Sequence, residues 1–129
     1  MPQALKLTIL AETFAVSRLD KGEPVPNWAS SHGWCSVTRT DDELSIVCPE
    51  AQVPADVISH RGWKCLKVAG PLDLALTGIL ISLLQPLTEA HISVFAISTF
   101  DTDYLLVKTE NLAATSRHLS SAGHQILEA

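Results

Sequence analysis

Residues 98–103, Ser-Thr-Phe-Asp-Thr-Asp, put two carboxylates and several small hydroxyls just ahead of the strand-forming run Tyr104-Leu105-Leu106-Val107. A carboxylate accepts charge-assisted hydrogen bonds, so Asp101 or Asp103 can hold an ammonium group or a cationic side chain. A second stretch, Leu76-Thr77-Gly78-Ile79, stands at the head of an apolar run. If that run is a helix, its first N–H groups are unpaired and its dipole favours an anion there. Gly78 has no Cβ, so a ligand carboxylate can come close to the backbone. Together the two stretches suit a zwitterion. Each also has a plainer reading. Asp, Thr and Ser populate tight turns because they bond the neighbouring backbone, and Gly78 can be small to let the helix pack closely on a sheet.

Other chemistry finds weaker footing. His32, His60, His91, His118 and His124 are scattered, and the spacing of His118 and His124 does not place both on one helix face. Cys35, Cys48 and Cys65 form no CxxC pair, so no zinc-site spacing is present. Asp101 and Asp103 match half of a calcium loop without its glycine and distal glutamate. The expectation is therefore a protein that is not an enzyme, with no catalytic residues, no metal and no cofactor.

The elements that must position the two stretches are legible in the carboxy-terminal half. Residues 63–69 read as a short strand. Ile79, Leu80, Leu83, Leu84 and Leu87 then fall at helical spacing, giving an amphipathic helix that ends near Ala90. Pro86 lies in its last turn or so, where the missing N–H is accommodated with a bend. Residues 92–98 carry apolar side chains at both parities, as a strand covered on both faces does, and are expected inside the sheet. The turn at 99–103 leads back through the strand 104–108, making a hairpin. Asn111 can cap a helix bearing Leu112 and Leu119 and stopped by Gly123, after which 124–127 form a last strand. Strand, helix, strand, strand, helix, strand is the ferredoxin-like order, with two helices on one face of an antiparallel sheet.

The amino-terminal half reads as an incomplete copy. Laying residues 36–50 on 96–110 matches Asp41 to Asp101, Val47 to Val107 and Glu50 to Glu110 without a gap. No first helix is recognisable there, only alternation around Phe14, Val16 and Arg18 and a loop holding Pro24 and Pro26. A second helix is at most the stretch 54–60, before Arg61-Gly62 turns into the Trp63 strand. The fold class is thus α+β, two ferredoxin-like halves, 1–61 degenerate and 62–129 complete.

Composition bounds the partners. With 129 residues, 47% of them hydrophobic, the chain can bury a substantial core. A net charge of −5 and the lack of a basic stripe exclude a nucleic-acid partner from the expectations. The amino terminus lacks the features of a secretory signal, and the longest apolar run is too short for a membrane span. The odd number of cysteines points to a reducing compartment, so a cytoplasmic protein is expected. Cys48 and Cys65 sit in strand patterns, as small buried hydrophobes. Trp28, Trp34 and Trp63 are core anchors or mark an oligomer surface.

Residues 36–50, 70–108 and 110–124 resemble the small bacterial tandem ACT-domain proteins, whose second ACT unit is similar to those of the eukaryotic cytosolic arginine sensors. The resemblance runs over nearly the whole chain, is strongest from Gly70 to Gly123, and is most specific in the 97–107 hairpin. It implies a regulatory module that binds an amino acid or similar small metabolite between ACT units without catalysis, and a homodimer. It places Thr99, Phe100 and Asp103 at the ligand, with Leu76, Thr77, Gly78 and Ile79 opposite. Ser98 and Asp101 complete the set of expected ligand-binding residues. The other reading open at this point is a protein-interaction or oligomerisation module that has lost its ligand.

Overall fold

The computed structural model describes residues 4–72 and 77–129. The chain forms two compact units, one of Glu12–Trp63 and one of the described residues up to Ala11 together with Lys64–Ala129. The backbone passes between them inside two strands, β1 (Lys6–Leu19) and β4 (Ser59–Val68). A cut at 61/62 takes no account of this return of residues 4–11.

In the unit containing Lys64–Ala129, the order after β4 is α1 (Ile79–Glu89), β5 (Val94–Ser98), β6 (Asp103–Lys108), a 3₁₀ turn at Thr109–Asn111, α2 (Leu112–Ser121) and β7 (Gln125–Glu128). This is the expected βαββαβ sequence of an α+β fold. Its strands are ordered β7-β1-β4-β6-β5. β5 and β6 are antiparallel from Val94↔Val107 to Ser98↔Asp103. β7 runs parallel to β1, from Lys6↔Gln125 to Ile9↔Glu128. The opening stretch of β1 thus fills the place between β7 and β4, a feature no pattern in the carboxy-terminal half discloses.

Leu83 and Leu87, four residues apart, carry the buried stripe of α1 onto Leu7, Leu66, Val68, Leu105, Val107 and Leu119. Pro86 removes the N–H that would meet the Ser82 carbonyl one turn earlier. His124 stands in for it. Its Nδ1 accepts the Leu5 N–H at 3.1 Å, so the ring proton is on Nε2, which lies 3.2 Å from the Ser82 oxygen. The imidazole, 6% exposed, therefore links the chain ahead of β1 to the middle of α1.

Two expectations in this unit are corrected. β5 ends the strand order instead of lying inside the sheet, and Ala96 and Ser98 are exposed. Val94, Phe95 and Ile97 are only half-buried, as befits a strand paired on one side. Asn111 stands at the N-cap of α2, but its side chain makes no capping bond. The preceding 3₁₀ turn brings the backbone in at φ −99° and ψ 1°, away from the extended conformation that aims a capping oxygen at the first turn. α2 stops as expected, with Gly123 at φ 99°.

In the unit Glu12–Trp63, β3 (Leu44–Pro49) pairs antiparallel with β1 from Phe14↔Pro49 to Leu19↔Leu44 and with β2 (Ser36–Arg39) from Ser36↔Val47 to Arg39↔Leu44. In the positions of helices there are 3₁₀ turns, Asn27–Ser30 and Glu50–Gln52. The stretch 54–60 forms no helix: it makes a single turn, with the Val57 N–H donating to the Pro54 carbonyl at 3.2 Å, and runs into β4 at Ser59. Ala15, Ala29, Leu44, Ile46, Cys48 and Val53 make the core, with Trp28, Cys35 and Val57 packed against it. Trp34 meets buried Phe14 edge-on, 5.7 Å between centroids at 86°. Arg61 closes the end of the unit by donating to the carbonyls of Glu50 and Val53, while Glu50 Oε1 accepts the Gly62 N–H at 2.9 Å.

Candidate functional site at the β5–β6 corner

The β5–β6 turn is held by its own hydroxyls. The Thr99 N–H donates to the Thr102 carbonyl at 2.8 Å, and Thr99 Oγ1 accepts the Thr102 N–H at 3.3 Å. Thr102, 4% exposed, turns its hydroxyl inward and donates to the Val68 carbonyl at the end of β4, at 2.7 Å. The Leu72 N–H donates to the Asp101 carbonyl at 2.7 Å. A Cβ on Gly70 would lie 3.0 Å from that same oxygen and 3.1 Å from the Thr102 Cβ, so only glycine lets the backbone after β4 approach the turn this closely.

Between these segments lies a hollow of about 200 Å³ lined by Lys67, Gly70, Pro71, Thr99, Asp101, Thr102 and Tyr104. It carries one cation and one carboxylate. Lys67 and Asp101 are both exposed, which leaves them hydrated and their charges available to a solute.

The expected residues fall into distinct places. Thr99 and Asp101 line the hollow. Asp103 does not; its Oδ1 accepts the Ser98 hydroxyl at 2.6 Å across the first pair of the hairpin. Phe100, at 85% exposure, projects from the tip of the turn. Thr77, Gly78 and Ile79 are described at the start of α1 and do not line the hollow, whereas Leu76 lies outside the described residues. Gly78 is the N-cap of α1 at φ 80°, with no side-chain capping bond, and a Cβ there would meet only an Ile81 methyl at 3.9 Å. Its backbone angle is what calls for glycine, since close packing of the helix would leave less room. Lys67, Gly70, Pro71 and Tyr104 went unnoticed in the sequence. The one local signal was the Gly-Pro pair after a strand, a marker of a loop.

Among the described residues no group of three or more His, Cys, Asp or Glu side chains is placed to hold a metal ion, and no helix is long and apolar enough to cross a membrane.

Comparison with known proteins agrees with this architecture. Residues 58–121 match the ACT domain family, and residues 12–56 match a separate family described as an N-terminal domain, close to the compact unit Glu12–Trp63. A crystal structure of an Agobacterium tumefaciens protein is 43% identical, with a TM-score of 0.93 over 98% of this chain and 95% of that one. The regulatory subunit of aspartate kinase from Thermus thermophilus superposes with a TM-score of 0.64 over 92% of this chain and 99% of that one, at 10% identity, which is a likeness of fold. Subunit 1 of the cytosolic arginine sensor for mTORC1 from Bos taurus is 28% identical over 96 residues, 66% of this chain. The matched segment spans 29% of that sensor's length. The chain carries an ACT domain over residues 58–121. That ACT unit is similar to those of the cytosolic arginine sensors.

Proposed function

We propose that the chain is a regulatory module that binds an amino acid at the β5–β6 corner and catalyses nothing. The observation that carries this reading is the hollow in which Lys67 and Asp101 present opposite charges beside a hairpin turn already fixed by its own hydrogen bonds. A zwitterion needs both: Asp101 accepts from the ammonium, and Lys67 and backbone N–H groups meet the carboxylate. Asp103 acts beside them by holding Ser98 and so the hairpin corner. The arginine-sensor relatives support an amino acid as the ligand class and the cytosol as the place of action. Ligand binding shifts the populations of two conformations by its differential affinity for them, and a homodimer of such modules transmits that shift to a partner.

The experiment is a thermal-shift and calorimetric screen against the twenty amino acids. At about 100 times its dissociation constant, a ligand adds roughly 2.7 kcal/mol of apparent stability. Asp101→Ala is expected to weaken that ligand at least about tenfold and leave the unliganded melting temperature unchanged, since the Asp101 side chain lies on the surface. A screen in which no amino acid shifts the transition overturns the reading in favour of a protein-interaction module.

A further inference from the structure

The pairing register of the amino-terminal hairpin leads toward two cysteines. Ser36↔Val47 is the outermost pair of β2 and β3, and one further step in the same register, just beyond β2, would set Cys35 opposite Cys48. Antiparallel pairs alternate between hydrogen-bonded and non-hydrogen-bonded. The Thr40 N–H donates to the Glu43 carbonyl at 2.9 Å, which marks 40 and 43 as a bonded pair. Counting outward, 36 and 47 are bonded, so a pair at 35 and 48 would be of the non-bonded class, in which Cα atoms lie roughly 4.5 Å apart and side chains are closest. A disulfide spans Cα separations of about 4.4–6.8 Å. Both side chains also point to one place: Cys48 is in the core with Leu44 and Ile46, and Cys35 packs against that same cluster.

We propose that Cys35 and Cys48 are a reversible redox modification site, closing to a disulfide by exchange with a low-molecular-weight disulfide. Cys35 is partly exposed and Cys48 is buried, which sets the order of events. The Cys35 thiolate attacks one sulfur of the small disulfide, whose S–S bond breaks and releases one small thiolate. The Cys48 thiolate then attacks Cys35 Sγ, the mixed disulfide breaks, and the second small thiolate leaves. Two cysteine thiols are oxidised, one small disulfide is reduced to two thiols, and the cysteine protons end on those leaving groups. Burial, with the neighbouring Cys35, holds the Cys48 thiol up at about 11 against a smaller opposing pull from Arg61. The second exchange is therefore the slow one and quickens as pH rises. Cys65, in the other unit, has no part in it.

The test is incubation of the full chain with oxidised glutathione at about pH 8, an acid quench, and thiol counting under denaturant with intact-mass measurement. The expected result is a fall from three thiols to one, a mass loss of about 2 Da, and a proteolytic map linking Cys35 to Cys48, all reversed by dithiothreitol. Cys48→Ser is expected to stop at the mixed disulfide on Cys35. Cys35→Ser, at a partly exposed position that tolerates the change, is expected to keep Cys48 and Cys65 as thiols. Retention of three thiols, a mixed disulfide that persists in the natural chain, or cross-links between chains would each overturn the proposal.

Discussion

The two units cover similar hairpins with different material. β5–β6 is followed by a 3₁₀ turn at Thr109–Asn111 that runs into α2, and α1 adds a second layer of leucines. β2–β3 is followed by a 3₁₀ turn at Glu50–Gln52 that stops at Val53, and its core of Ala15, Ala29, Leu44, Ile46, Cys48 and Val53 is covered by Trp28, Cys35 and Val57 instead of a helix. The alignment of Asp41 with Asp101 and Glu50 with Glu110 therefore carries a shared hairpin and turn. The segment after each hairpin decides its character. In the first unit the chain after Val53 makes one turn and enters β4 at Ser59, which leaves no length for a helix of several turns.

The sharpest way to break the comparison is to empty each core. Phe14→Ala removes a ring with no exposure and its edge contact with Trp34, at an expected cost of about 3–5 kcal/mol; Leu83→Ala in α1 should cost about 2–5 kcal/mol. Urea denaturation measures both. If turns and indoles form as tight a core as helices do, the two losses are comparable, and a loss below about 1 kcal/mol for Phe14→Ala would mean that the first unit is loosely packed.

A smaller effect tests the device peculiar to the helical unit. His124→Ala leaves the Leu5 N–H and the Ser82 carbonyl without partners, at an expected cost of about 2–3 kcal/mol. In that background Pro86→Ala restores an amide opposite the Ser82 carbonyl and should recover part of the loss, about 1 kcal/mol. Equal effects of Pro86→Ala with and without His124 would show that the imidazole does not replace the missing amide.

The third effect belongs to the other unit and depends on pH. The Cys48 thiol is raised from 9.0 to about 11, so the folded state favours the neutral form. Its contribution is fully present below the unfolded value and is lost as pH rises through the folded one. Stability should fall between about pH 9 and 11 by up to roughly 2 kcal/mol, and Cys48→Ala should flatten that limb.

The periodic parts of this fold were legible in the residues. α1 follows from its leucine spacing, and the β5–β6 hairpin from two apolar runs about a polar turn. The edge position of β5 was not, because strand order depends on partners far along the chain. Asn111 has the right type for a cap, but the 3₁₀ turn before it fixes the backbone. In the hollow, Thr99 and Asp101 were found because turn and ligand chemistry use the same residues. Lys67, Gly70, Pro71 and Tyr104 were missed because they come from separate segments that only the sheet brings together.

Leu5 bonds to His124 across 119 positions, and Lys6 sits beside Gln125 in a parallel ladder. During synthesis, the earliest strand of the carboxy-terminal unit leaves the ribosome well before its neighbour β7. That unit cannot mature stepwise behind the ribosome as a helical hairpin can. Its opening strand waits, unpaired on that side, until residues 125–128 have emerged. Such long-range closure is slow, and a fragment beginning at Lys64 would lack a strand from the middle of its sheet.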